Sequence, residues 1–301
     1  MAVRTGQFRP GRQNADVNLR KRMKTMAVQN SINTNAGSFV ALRNLNSINR
    51  KLDITQNRVS TGLKVSGALD DASNFSIAQG IRGELKAIGA VTQGLNNAKG
   101  IGKVAIAGTT AVSDLLQNIR QKLTELSNEG ITTAQRTILE DDFNQLLSQA
   151  ANFIDNAVFN GVNLLDTAGA SPDVATLSNL SGGTLTLSNA DLRTQVLSLA
   201  GSSFGSATLA QAVLATQYAN LESVVNSALG ALGAEVRALE LQTSFLEQIS
   251  DATEEGLGNI VDADLARESA KLTSFQVQQQ LSIQTLGIAN QRPQTLLGLF
   301  G

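Results

Sequence analysis

Apolar residues near the two ends of the chain repeat at the alternating three- and four-residue spacing of a coiled-coil seam. Near the beginning, the repeat consists of Leu45, Ile48, Leu52, Thr55 and Val59. Near the end, one stripe consists of Leu272, Phe275, Gln279, Ile283 and Leu286, and a second, on another side, of Val277, Leu281 and Ile288. A helix that is apolar on two sides needs more than one partner. The pattern therefore predicts that the two ends pair with each other and then with further copies of the chain.

The C-terminal segment from Leu272 to Gln291 has no charged residue, yet it carries seven amide side chains. Amides without partners are costly in hydrocarbon, so no membrane span is expected here. An uncharged helix of this kind is typical of a protein assembly. The residues expected to mediate self-assembly are Leu45, Ile48, Leu52, Val59, Leu265, Leu272, Phe275, Leu281, Ile283, Leu286 and Ile288.

Three further apolar repeats lie between the ends. The clearest runs from Val112 to Leu126 and is followed by Gly130, and two more cover residues 139–157 and 225–246. Matching periods predict that these helices form one bundle. Three glycines that come just before the first of these repeats, Gly100, Gly102 and Gly108, are interpreted as sites of close helix packing.

The period changes between the second and third of these helices. Asn160-Gly161 lies between short apolar runs, which is a strong hairpin signal, and residues 184–187 alternate between polar and apolar. Residues 167–206 are rich in Ser, Gly, Thr and Ala and are expected to form an exposed, loosely packed segment. The predicted fold is mainly α, an elongated coiled coil and helix bundle formed by the paired N- and C-terminal regions, with a small β-hairpin-containing segment in the middle.

Composition removes most catalytic chemistry. The chain has neither Cys nor His, which excludes disulfides, thiolate nucleophiles, imidazole bases and most zinc or haem ligation, and no cofactor is expected. Asp70 and Asp71 are a candidate acid/base or metal pair, but neighbouring side chains point about 100° apart on a helix, so capping of a helix is favoured. The pairs Asp141-Asp142 and Glu254-Glu255 are interpreted as solvated helix faces. An enzyme is therefore disfavoured.

Charge is uneven along a chain whose net charge is −1, because residues 1–25 contain seven basic residues and one acidic residue. Residues 1–30 are expected to be a disordered basic extension. A tail that binds nucleic acid or membrane is one interpretation. A natural start at Met26 is the favoured one. No long apolar run follows the basic residues, so no secretory signal peptide is predicted.

Several motifs occur in a distinctive order. They are Ser31-Ile32-Asn33-Thr34-Asn35, Arg58-Val59-Ser60-Thr61-Gly62-Leu63-Lys64 with Asp70-Asp71-Ala72, Phe159-Asn160-Gly161, Ile260-Val261-Asp262-Ala263-Asp264-Leu265-Ala266, and Ala289-Asn290-Gln291-Arg292-Pro293-Gln294. In this order, from about Met26 to Gly301, the chain resembles bacterial flagellins.

The resemblance implies a secreted, extracellular subunit that self-assembles into the flagellar filament. It implies binding to copies of itself, to junction and cap proteins, and to an export chaperone and the flagellar secretion apparatus, with no role for nucleic acid. The expected regions are an inner shell of residues 31–64 and 257–301, a rod of residues 65–166 and 207–256, and a short variable segment of residues 167–206. Alternatives are a junction or minor axial protein and a flagellin-like protein that binds surface polysaccharide.

One stretch departs from a family pattern. Flagellins that the flagellin-specific Toll-like receptor senses resemble one another in a Gln-Arg-Val-Arg-Glu-Leu-Ala stretch, which aligns with residues 117–123 of this chain. Asn118 then replaces an arginine, and Lys122 replaces a leucine. The lysine has no evident partner in the sequence. Ile119 and Leu123 are expected to stay in the bundle seam. The resemblance implies weak or absent activation of the receptor.

Overall fold

The computed structural model describes residues 34–166 and 173–297 and has a mainly α fold, as predicted. The elements in chain order are α1 (Ala36–Thr61), α2 (Ala72–Leu126), α3 (Thr133–Asn156), β1 (Val174–Leu177), β2 (Thr184–Leu187), α4 (Leu192–Ala200), α5 (Ala207–Val213), a π-helical segment (Leu214–Tyr218), α6 (Ala219–Val261) and α7 (Leu265–Leu297). The predicted basic extension, residues 1–30, lies outside the described residues.

Local sequence signals define where the helices begin and end. Asn35 caps α1 by accepting a hydrogen bond from the Ser38 backbone at 3.1 Å, and α1 ends at Gly62, whose positive φ of 74° is unfavourable for a residue with a side chain. Thr132 and Gln135 form a capping box at the beginning of α3. The end of α1 at Thr61 comes just after the last residue of its apolar repeat, Val59.

The two aspartates before α2 are structural, as predicted. Asp71 accepts hydrogen bonds from the backbone of Ser73 and Asn74 and from the Asn74 amide at 2.7 Å, so it caps α2. Asp70 closes the preceding turn by accepting from Ser66 and Gly67. Each carboxylate is therefore used by its own local turn, and the two do not converge on a shared ligand.

The chain divides into two compact units. The terminal unit contains the described residues up to Ile77 and from Asn259 onward, and the bundle unit contains residues 78–258. The expected rod began at residue 65, but residues 65–77 belong to the terminal unit. The cause is local, since Lys64 and Val65 both donate their backbone N–H to the Val261 carbonyl, at 2.7 and 3.3 Å.

The bundle unit has a continuous apolar core. It contains the predicted α2 repeat of Val112, Leu116, Ile119, Leu123 and Leu126, together with the inward residues of α3 and α6. The Tyr218 hydroxyl donates to the Leu116 carbonyl at 3.2 Å, which joins the start of α6 to α2. Arg136 donates to the carbonyls of Leu126 and Asn128, which would otherwise be unpaired at the end of α2.

The α2 glycines permit close packing, as predicted. A Cβ at Gly102 would lie 2.5 Å from a Val236 methyl group, and one at Gly100 would lie 2.8 Å from the Phe159 ring. A Cβ at Gly108 would approach Ala157 at 2.8 Å. The absent side chains therefore let α6 and the segment after α3 lie directly on α2.

The Asn160-Gly161 pair forms the predicted tight turn. Both residues have positive φ, 49° and 80°, and Phe159 and Val162 exchange backbone hydrogen bonds at 2.9 Å. The regular strands lie further along, where β1 and β2 pair antiparallel with Val174 opposite Leu187.

The expectation that residues 167–206 form an exposed, loosely packed segment is wrong for much of its described part. Leu187, Leu192, Val196, Leu199 and Phe204 are buried in the core of the bundle unit. Small polar residues dominate the composition of the segment, but the spacing on β2 turns Leu187 inward, and the spacing on α4 turns Leu192 and Leu199 inward. The segment is thus a packed cover over the bundle.

Candidate polymerisation surface on the terminal helices

Helices α1 and α7 form an antiparallel pair within the terminal unit. The α1 side of their seam consists of Ala41, Leu45, Ile48, Leu52, Thr55 and Val59, all buried or half-buried. The α7 side consists of Glu268, Leu272, Phe275, Gln279, Ser282, Leu286 and Ala289. Both sets follow the alternating three- and four-residue spacing of a coiled coil.

One predicted seam residue was wrong. Ile283 was assigned to the inward stripe, but it is exposed, and Ser282 occupies the half-buried position between Gln279 and Leu286. After the four-residue step from Phe275 to Gln279, a coiled coil next takes a three-residue step, which reaches Ser282. Ile283 was chosen in the sequence because it is apolar, whereas Ser282 is small and polar.

Backbone hydrogen bonds hold the pair at the α1 C-terminus. Ala263 donates to the Gly62 carbonyl at 2.8 Å, and Lys64 donates to the Val261 carbonyl at 2.7 Å. At the opposite end, the Asn35 amide donates to the Ala289 carbonyl at 2.7 Å. The amides of Gln279 and Asn49 bond to each other between these ends, at 2.9 Å.

A charged group closes the seam beside Gly62. The Glu268 side chain is only 8% exposed; it accepts a hydrogen bond from Lys271 at 2.7 Å and lies 3.9 Å from Arg58. The Arg58 Nε and one Glu268 oxygen are buried without a hydrogen-bond partner. Removal of Arg58 would leave the buried carboxylate with Lys271 as its one described ion-pair partner, which is destabilising.

The second α7 stripe faces away from α1. Val277 is 50% exposed, Leu281 55% and Ile288 66%. We call Val277, Leu281 and Ile288 the outer stripe. Ile283, at 54%, and Leu265, at the beginning of α7, are also exposed, but Ile283 lies next to the seam and not on the outer stripe. Single exposed apolar residues are ordinary, but three on one face of a helix in an uncharged stretch indicate an unsatisfied interaction surface.

Sequence reasoning missed the apolar start of α1. Phe39, Val40, Leu42 and, about three turns further on, Ile54 are exposed outside the seam. The signal that would have found the first three is the uncharged run from Ala36 to Leu42, which resembles the uncharged stretch of α7. Both helices of the pair therefore present apolar side chains outward.

The departures from the receptor motif lie on α2, in the bundle unit. Ile119 and Leu123 are fully buried, as predicted, and Asn118 is exposed. The expectation that Lys122 lacks a partner is wrong, because its Nζ lies 3.2 Å from Asp142 and 3.4 Å from Glu125. The hydrogen bond with Asp142, followed by the charge of Glu125, raises the pKa of Lys122.

Residues 34–166 and 173–297 contain no helix long and apolar enough to cross a membrane. Over the same residues, no group of three potential metal-ligating Asp, Glu, His or Cys side chains comes together.

An antiparallel pair made from both chain ends, with apolar side chains left facing outward, defines a class of protein that forms helical polymers. Two family models match the chain: the bacterial flagellin N-terminal helical region matches residues 32–170, and the bacterial flagellin C-terminal helical region matches residues 215–300. The chain belongs to the bacterial flagellin family.

Relatives agree over nearly the whole chain. Flagellin FljM of Caulobacter vibrioides is 36% identical over 271 residues, which cover 90% of this chain and 98% of the relative. A flagellin of Brucella melitensis is 34% identical over 280 residues, which cover 90% of this chain and 99% of the relative. The chain is therefore a structural subunit of the flagellar filament, an extracellular structure used for motility. The alternatives of a junction protein and a polysaccharide-binding protein are not favoured.

One solved structure shares the helical fold. A putative flagellar hook-associated protein from Vibrio parahaemolyticus matches with a TM-score of 0.53 and 13% identity, covering 64% of this chain and all of that chain. Bacillus cereus flagellin matches with a TM-score of 0.47 and 19% identity, covering 51% of this chain and 88% of that chain. The Vibrio parahaemolyticus structure supports the helical architecture of this chain and nothing beyond it.

Proposed function

We propose that this subunit polymerises by burying the outer stripe of α7, together with the apolar start of α1, against neighbouring copies. The observation that carries the proposal is the outward exposure of Val277, Leu281 and Ile288 on a helix whose opposite side is already occupied by α1. Because α1 covers one side, a second interaction needs another chain.

The size of the effect supports this choice. Complete burial of a Val, Leu or Ile side chain contributes about 1.5–3 kcal/mol, so covering side chains that are 50–66% exposed contributes roughly 1 kcal/mol each. Three such residues per subunit supply about 3 kcal/mol, repeated at every contact along a polymer. No charged residue between Leu272 and Gln291 opposes that burial.

The test is a pair of polar substitutions with a matched control. Val277→Gln with Leu281→Gln should abolish filament growth, measured by electron microscopy and sedimentation after seeds are added. The control, Gln276→Ala with Gln280→Ala, changes exposed residues of the same turns that lie outside the outer stripe. It should assemble normally. Normal filaments from the double glutamine variant would overturn the proposal.

We also propose that the outer stripe binds the partners that a flagellin meets outside the filament body. An export chaperone would cover it before secretion, and junction and cap proteins would cover it at the filament ends, where one neighbouring copy is absent. The support is the same exposed apolar surface, which needs a cover in every state. Loss of chaperone binding in the double glutamine variant, measured by calorimetry, is the expected result, and unchanged affinity would contradict it.

A further inference from the structure

A single amide pair interrupts the apolar seam of the terminal helices near its middle. Gln279 occupies a seam position of α7, and its Nε2 donates to Asn49 Oδ1, next to Ile48 on α1, at 2.9 Å. Both residues are half-buried. An apolar pair of similar size would generally stabilise such a seam more, whereas a polar residue at a seam position selects one register at a cost in stability.

The neighbouring contacts define the register that the amide pair accompanies. Asn49 contacts Gln279. Nine residues further along α1, towards Gly62, Arg58 contacts Glu268. In two antiparallel helices, this alignment places Leu52 opposite Phe275 and Leu45 opposite Ser282. Every other seam position then has a defined neighbour across the pair.

Apolar layers alone do not distinguish this register from its neighbours. A shift of one turn would place Leu45 opposite Leu286 instead of Ser282, which exchanges a small polar neighbour for an apolar one. The backbone bond between Gly62 and Ala263 holds one end and the bond from the Asn35 amide to Ala289 holds the other, but Asn49 lies 13 residues from Gly62 and 14 from Asn35, about 20 Å along the helix from each. In the shifted register, Asn49 and Gln279 no longer meet, and each half-buried amide loses its partner.

We propose that Asn49 and Gln279 are positioning residues that set the axial register of α1 against α7. The register in turn decides where along the pair the outer stripe lies, and the importance of this for assembly rests on the proposed function. The pair thus favours one arrangement of a seam whose apolar residues would accept several.

Disulfide trapping measures the register directly, because the chain has no Cys of its own. Leu45→Cys with Ser282→Cys reports the observed register, and Leu45→Cys with Leu286→Cys reports the register shifted by one turn. Each cysteine pair is placed in the full-length chain, and the disulfide yield is measured in both the soluble and the sedimented fractions.

Three backgrounds separate register from stability. The unaltered amide pair should give the 45/282 disulfide with little 45/286 product. Asn49→Leu with Gln279→Leu should keep or increase helicity, yet raise the 45/286 yield relative to 45/282 by roughly fivefold, the selectivity that one hydrogen bond of about 1 kcal/mol provides. The exchanged pair, Asn49→Gln with Gln279→Asn, preserves two complementary amides and should restore selectivity.

Unchanged selectivity in the double leucine background would overturn the proposal, as would failure of the exchanged pair to restore it. A merely structural role would change helicity without changing the ratio of the two disulfides. The ratio is read within each chain, so it stands even if the double glutamine variant of the outer stripe still polymerises. Failure of the register proposal and failure of the proposed function are therefore separate results.

Discussion

The two units of this flagellin use their apolar residues in opposite ways. The largest fully buried side chains, among them Leu123, Phe143 and Leu192, all lie in the bundle unit. In the terminal unit, the α1–α7 seam is mostly half-buried, and apolar residues such as Phe39 and Leu281 face outward. The bundle unit satisfies its hydrophobic surface within one chain. The terminal unit leaves apolar side chains exposed, and we propose that neighbouring copies cover them.

The largest expected effect follows from removal of the outward-facing helix. Deletion of residues 272–301 should leave the bundle unit folded and abolish polymerisation, because the deleted segment carries the outer stripe and half of the seam. Circular dichroism and sedimentation would be measured on the same sample. Long filaments from the truncated chain would show that the bundle unit assembles without the terminal pair.

Two phenylalanines sharpen the comparison between the units. Phe143 is fully buried and packs edge-to-face on Phe204, with ring centroids 4.9 Å apart, whereas Phe275 is a half-buried seam residue. Phe143→Ala should lower the free energy of unfolding by about 3–5 kcal/mol. Phe275→Ala should lower it by roughly 1–1.5 kcal/mol, because only part of the ring leaves water on folding.

Denaturant titration of the dispersed subunit measures the two free energies, and seeded growth measures assembly. Phe275→Ala should slow filament growth more than its small effect on the subunit would suggest, and Phe143→Ala should do the reverse. Equal losses of stability at the two positions would contradict the distinction between a self-sufficient bundle and an incomplete terminal pair.

The sequence predicted the elements better than the side-chain partners. Helical periods identified α1, α2 and α7 because apolar spacing depends on the backbone repeat, and Asn160-Gly161 identified its turn because few other residues accept positive φ. The alternating steps of a coiled coil lead to Ser282, but its small polar side chain gives no apolar signal, and the neighbouring Ile283 does. Lys122 pairs with Glu125 three residues on, which the spacing within α2 could have indicated, and with Asp142, 20 residues away on another helix, which it could not.

A smaller effect is expected at the junction before α2, where acid should weaken a cap. Hydrogen bonds from the Asn74 backbone, then from its side-chain amide, lower the pKa of Asp71. A carboxyl group with a lowered folded pKa stabilises the fold above its unfolded pKa, near 3.9, and this contribution is lost as the pH falls through the folded pKa. Thermal unfolding of the subunit should show this loss.

Two variants isolate the Asp71 contribution. Asp71→Ala should lower the melting temperature at pH 7, and the difference from the unaltered chain should shrink toward pH 3. Asp71→Asn retains a capping oxygen without a titrating group, so it should fall between the two at pH 7 and lack the acid-dependent loss. A difference at Asp71→Ala that is the same at both pH values would show that the cap does not act through its charge.

The smallest effect on fold and assembly is expected at the two departures from the receptor motif, Asn118 and Lys122, which we propose weaken activation of the flagellin-specific Toll-like receptor. Asn118 is exposed and lacks the planar, charged fork of an arginine. Lys122 is held on the surface by Asp142 and Glu125, so a receptor would have to cover a lysine already engaged by two carboxylates.

Asn118→Arg with Lys122→Leu should raise signalling in reporter cells, while stability changes by no more than about 1 kcal/mol, as is usual for surface ion pairs. Leu126→Ala is the control, since it damages the bundle core outside residues 117–123 and should not raise signalling. Strong activation by the unaltered protein would contradict the proposal, because the exposed surface of α2 would then suffice without the arginine and leucine.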